Sequence, residues 1–89
     1  MKFEFDPIKS QANRHKHGVS LEHATQIWQN AYLEVAARTV DEPRFMAIGT
    51  IGGKLYACIY TIRGEAIRLI SCRRARSKEA GLYHGHIKA

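Results

Sequence analysis

Apolar residues in the second half of the chain gather into three strand-length runs, Arg44–Ile51, Lys54–Arg63 and Glu65–Arg74. Gly52-Gly53 and a turn around Gly64 separate them, the spacing of an antiparallel meander. Two-residue loops would set Ile51 opposite Lys54 and Arg63 opposite Ala66, and alternation then assigns the faces. One face carries Phe45, Ala47, Gly49, Tyr56, Cys58, Tyr60, Ile67, Leu69, Ser71 and Arg73. The other carries Met46, Ile48, Thr50, Leu55, Ala57, Ile59, Thr61, Arg63, Arg68, Ile70, Cys72 and Arg74. The second face is the more aliphatic at its centre and is expected to lie under helices, leaving the first as a working surface. In this register Cys58 and Cys72 point to opposite faces and cannot join.

The first half has helical spacing. Met1–Phe5 predicts a short strand; Asp6 then supplies an N-cap, Pro7 a first helical residue and Gly18 a left-handed stop. Ile8 and Ala12 are the apolar positions of this helix, with Lys9, Asn13 and Lys16 on a polar stripe. Ser20 caps a second helix over residues 20–29, whose buried stripe is Leu21, Ala24, Ile27 and Trp28. Residues 32–40, Val40 among them, predict an extended segment that Asp41-Glu42-Pro43 ends. Ser77–Tyr83 predicts a short C-terminal helix weakened by Gly81, with His84–Ala89 as a mobile tail. The fold class is therefore α+β, with two N-terminal helices packed on the meander.

Composition narrows the function. Eighty-nine residues make one small domain, expected to span residues 1–89 without an internal boundary. The formal net charge of +6, with five histidines in reserve, points to a polyanionic partner, although a basic surface also serves solubility. No apolar run approaches the ~20 residues of a membrane helix and no signal-peptide shape opens the chain, so a cytoplasmic protein with no membrane partner is expected. The two cysteines lack a second pair and the histidines are scattered, so neither a metal nor another cofactor is expected.

Phe3-Glu4-Phe5-Asp6-Pro7, Lys9, Asn13, Lys16-His17-Gly18-Val19, Arg44-Phe45, Ile48-Gly49, Tyr60-Thr61 and Ile67-Arg68-Leu69-Ile70-Ser71-Cys72-Arg73-Arg74-Ala75 follow one another at a spacing that resembles the BrnT toxin family over nearly the whole chain. Leu21, Cys72 and Ala80-Gly81 depart from that pattern. The resemblance implies a small RelE-like domain, an endoribonuclease activity and a toxin–antitoxin module. It also implies neutralisation by a BrnA-like antitoxin in a 2:2 complex, with DNA touched only through the antitoxin.

Cutting RNA without a metal needs a group to take the 2′-hydroxyl proton, positive charge at the pentavalent phosphate and an acid for the leaving oxygen. His17, Arg68 and Arg73 are the catalytic candidates, since imidazole moves protons and guanidinium grips phosphate oxygens in pairs. His17 at a helix end also suits capping, and either arginine also suits an ion pair to Glu65, Glu79 or a helix C-terminus. Glu79 and Tyr83 remain alternatives for the acid or base. Lys9, Asn13, Lys16, Arg63, Arg74 and Tyr60 are the expected substrate contacts, with Tyr56 a further stacking candidate; a solvated helix face and strand packing are the plainer readings. Arg68 and Arg73 would oppose each other on a regular strand, so both can meet one substrate only if the strand is bulged. A non-catalytic RNA-binding or antitoxin-binding module is the competing function.

Overall fold

The computed structural model describes residues 1–38 and 41–88. Five strands form one sheet in the order β1-β5-β4-β3-β2: β1 Lys2–Glu4, β2 Leu33–Ala36, β3 Phe45–Ile51, β4 Lys54–Arg63 and β5 Ala66–Arg74. Helix α1 spans Pro7–His17, α2 spans Leu21–Ala24 and runs on as a 3-10 helix over Thr25–Gln29, and α3 spans Ser77–Lys88. Val40, expected at the end of the second strand, lies outside the described residues. No described helix is long and apolar enough to cross a membrane.

The meander is antiparallel, with Ile51 opposite Lys54 and Arg63 opposite Ala66 as the turn lengths require. Gly52 and Gly53 take φ of 57° and 78°, the left-handed pair that a two-residue hairpin needs to follow the strands' twist. β1 adds a parallel strand outside β5, pairing Lys2–Glu4 with Ala66–Arg68. The faces hold as far as Leu69, opposite Tyr60. Ser71 then faces Ile59, which leaves Ile70 as the extra residue of a bulge.

That one residue corrects the face assignment for the rest of β5. Cys72 and Arg74 join Cys58 and Tyr56 on one face; Ser71 and Arg73 join Ile59 and Ala57 on the other. The two cysteines are thus directly opposed, both buried and both free. Hydrogen bonding to Cys72, together with burial, pushes the Cys58 thiol well up.

The helices cover the face expected to be open. Val19, Leu21, Ala24 and Ile27 pack with Ala47, Cys58, Tyr60, Leu69 and Cys72 into one core. Burying a side chain such as Leu21 or Ile27 contributes about 1.5–3 kcal/mol. Gly49 permits the approach, because a Cβ there would sit 2.9 Å from Ile27 Cγ2 and 3.1 Å from Tyr32 Cβ. Trp28 is half-buried and meets Phe3 and Tyr60 edge-on at 5.2 Å.

Helix α1 begins and ends where its caps predict, with Asp6 accepting from the Ile8 N–H and Gly18 left-handed at the C-terminus. Its buried side is polar, which reverses the expected orientation. Ile8 is 80% exposed, Ala12 is exposed, and the buried residues are Ser10 and Asn13. Ser10 Oγ accepts the Leu21 N–H at 2.9 Å, beside the Ser20 cap on the His23 N–H at 3.0 Å, which satisfies the start of α2. Asn13 Nδ2 donates to the carbonyls of Val19 and Cys72 at 2.7 and 2.8 Å, and its Oδ1 accepts the Cys72 N–H at 3.1 Å. β1 ends beside Arg68, so the outer backbone groups of Cys72 have no neighbouring strand. The Asn13 amide stands in for one.

α3 packs against β2 and β3 and continues through the segment expected as a mobile tail. Glu79 closes its first turn by accepting the Arg76 N–H at 2.8 Å, the N3 half of a capping box. Its bond to Arg73 places it on the face opposite the main core, where Ile48 and Ala57 are buried.

Candidate nucleic-acid interface

Two cationic regions emerge, one on each side of the sheet. The first is the face turned away from α1 and α2. Because of the bulge at Ile70, Arg68 and Arg73 point the same way, and Arg63, Lys2 and Glu4 share that side through their pairing with Ala66 and Arg68. Arg63, Arg68 and Arg73 each meet a carboxylate. Arg63 lies 3.8 Å from Glu42, Arg68 3.3 Å from Glu4, and Arg73 forms a two-bond fork with Glu79 at 2.8 Å on both sides. The fork is the best sheltered, with the Arg73 and Glu79 side chains 25% and 14% exposed. Bonding to Arg73 holds the Glu79 carboxyl below its ordinary range, while the same bond raises Arg73. At neutral pH both are charged and their orientation is fixed.

The second region is a groove of about 560 Å³ between the end of α1, the start of α2 and the β3–β4 turn, with Arg14, Ser20, His23, Gly52, Lys54 and Tyr56 among its lining. Arg74 borders it, its guanidinium carbon 5.6 Å from the centre of the Tyr56 ring. Among the described residues no ion pair involves Arg14, Lys54 or Arg74. Three chain segments far apart in sequence supply these cations, and only the fold brings them together.

The expected site residues divide between these places. Arg63, Arg68 and Arg73 come together on the first face, and Arg74 falls at the groove. Lys9 and Lys16 are exposed along α1, and His17 is half-buried at its end. Arg73 points to the face that α3 covers, and no hydrogen bond or ion pair among the described residues joins it to His17. These two catalytic candidates are therefore not brought together by such contacts. Asn13 is corrected from substrate contact to structural staple, because it is 7% exposed with its amide fully engaged. Tyr60 is corrected likewise: it is wholly buried against Trp28 and Phe45, with its hydroxyl bonded to Glu34. A base cannot stack where those rings already stand. Among the described residues no cluster of histidine, cysteine or carboxylate groups is arranged to hold a metal ion.

A family model described as "Ribonuclease toxin, BrnT, of type II toxin-antitoxin system" matches residues 5–79, a span that runs from just before α1 to Glu79. No curated protein matches the chain.

Proposed function

Since the chain belongs to the BrnT family of ribonuclease toxins of type II toxin–antitoxin systems, we propose that it is a metal-independent endoribonuclease whose chemistry occurs on the arginine-bearing face of β5. The supporting observation is the bulge at Ile70, which turns Arg68 and Arg73 toward one side. Glu79, ionised beside Arg73, accepts the 2′-hydroxyl proton as that oxygen attacks phosphorus. Arg73 and Arg68 neutralise the charge that builds on the non-bridging oxygens, and the P–O5′ bond breaks as a water molecule gives a proton to the departing oxygen, leaving a 2′,3′-cyclic phosphate and a 5′-hydroxyl. Lys9, Lys16 and Arg63 hold flanking phosphates, and His17 serves its helix end.

The same face is where we place the antitoxin. A BrnA-like partner bearing carboxylates would displace Glu4 and Glu79 from their arginines, and dimerisation of the antitoxin would give a 2:2 complex. One observation favours the competing reading of a non-catalytic RNA-binding module: Arg63, Arg68 and Arg73 already have carboxylate partners, as structural ion pairs do. Cleavage of purified RNA in the presence of a metal chelator decides between them. Cutting under chelation is expected; RNA binding without cutting would reject the catalytic assignment. The mass of the purified complex by light scattering tests the stoichiometry, and an interface that leaves both Arg68 and Arg73 open would count against inhibition by occlusion.

A further inference from the structure

The groove on the other side of the sheet has features the catalytic face lacks. Its cations Arg14, Lys54 and Arg74 carry no counter-ion among the described residues, and no carboxylate lines it. Its apolar lining residues Val19 and Ile51 are themselves buried, so the groove exposes polar and aromatic groups. A protein partner would want an apolar centre at such a place. A chain of phosphates and bases fits better. The phosphates would replace mobile counter-ions at Arg14 and Lys54, and a base would stack on the Arg74 guanidinium, already layered on Tyr56. Arg73 and Arg74 are consecutive and point to opposite faces, so one strand of RNA passing the end of β5 would meet both regions.

We propose that this groove is a binding subsite for single-stranded RNA flanking the scissile bond, with Arg14 and Lys54 as phosphate contacts and the Arg74–Tyr56 layer as a base platform. The proposal rests on the ribonuclease reading for its purpose, though its binding test does not. A short single-stranded 2′-O-methyl RNA, which cannot be cut because its attacking hydroxyl is blocked, serves as the probe. Its affinity for the full chain is measured by fluorescence anisotropy across a salt series. The Arg14→Ala/Lys54→Ala variant, altered only at two solvent-facing cations, is expected to bind at least ~10-fold more weakly, and its salt slope should fall by about 1.4, or 0.7 for each phosphate left without its cation. Arg74→Ala should weaken binding with a smaller change in slope than the double variant, because its contact is partly stacking. On cleavable substrates, the double variant's loss should be at least ~10-fold greater on long RNA than on a dinucleoside monophosphate too short to reach the groove. Unchanged affinity and slope in the double variant would overturn the subsite, as would unchanged RNA binding with lost antitoxin binding. Groove-dependent RNA binding by a parent chain that cuts nothing would support the subsite and reject the ribonuclease reading alone.

Discussion

The two sides of the sheet hold similar charge in different ways. On the face of Arg63, Arg68 and Arg73 each guanidinium is held by a carboxylate, whereas among the described residues none at the groove of Arg14, Lys54 and Arg74 is. A held arginine is oriented in advance and adds little long-range field, because its partner cancels it. A bare one is freely hydrated, attracts polyanions from a distance and loses that pull as salt screens it. On the proposed reading, positioning for chemistry and capture of a long anion fall on different surfaces of one small sheet. Adjacent residues of β5, Arg73 and Arg74, mark the boundary between them.

The strongest way to break this contrast is to remove the staple that supports both sides. Asn13→Ala would leave the Cys72 peptide and the Val19 carbonyl without their partner inside the protein, at a cost of about 3 kcal/mol. For a domain of this size that lowers Tm by more than ~10 °C in a thermal melt, and RNA cleavage and RNA binding should fall together. A melt within a few degrees of the parent would show that the staple is dispensable.

Arg73→Ala or Arg68→Ala should separate the surfaces. Either change is expected to reduce cleavage of purified RNA by at least ~10-fold, the loss of a transition-state interaction worth more than ~1.4 kcal/mol, in a protein that still melts cooperatively. Both variants cutting as well as the parent would exclude this face from the chemistry.

A smaller effect isolates the counter-ion. Glu79→Gln removes the charge from the Arg73 fork and should cost about 1 kcal/mol of stability, or ~4–8 °C in Tm, along with most cleavage if Glu79 is the base. The folded Glu79 carboxyl lies below its ordinary value. Its contribution is therefore complete above the unfolded value of about 4.3 and is lost as pH falls through the lower folded one. Denaturation curves of parent and variant should converge in acid, and a gap that persists there would mean the charge is not what stabilises the fork. His17→Ala should give the smallest change, a loss of activity below that of either arginine variant in the same assay, since on the proposed reading the residue only serves the end of α1. A loss equal to that of Arg73→Ala would bring His17 into the chemistry.

Much of this arrangement was legible in the sequence because local chemistry specified it. Asp6-Pro7, Gly18 and Ser20 mark helix boundaries through their own side chains or backbone freedom, and the Gly52-Gly53 and Gly64-Glu65 turns fix pairing by length alone. The bulge carried no such mark. Ile70 has ordinary strand chemistry, so the faces past Leu69 could be assigned only with the partner strand in place. α1 misled for a different reason: hydrophobic periodicity assumes that burial is apolar, and this helix buries Ser10 and Asn13 to satisfy peptide groups of other segments. Arg68 and Arg73 were legible as chemistry-capable groups, but Glu4 as a partner was not, since 64 positions separate it from Arg68.

The Asn13 staple also bears on how the molecule is made. The meander β3-β4-β5 closes through short hairpins and can pair as soon as it is synthesised. The partners that β1 and Asn13 need, Ala66–Arg68 and Cys72, lie 59 or more positions further along the chain. On the ribosome the first segment must therefore wait for β5, and loop closure over 59 positions precedes any gain from the contact. A chain interrupted before Ala66 has neither β5 nor the partners that anchor β1 and α1, so these first elements dock only after the meander has been made.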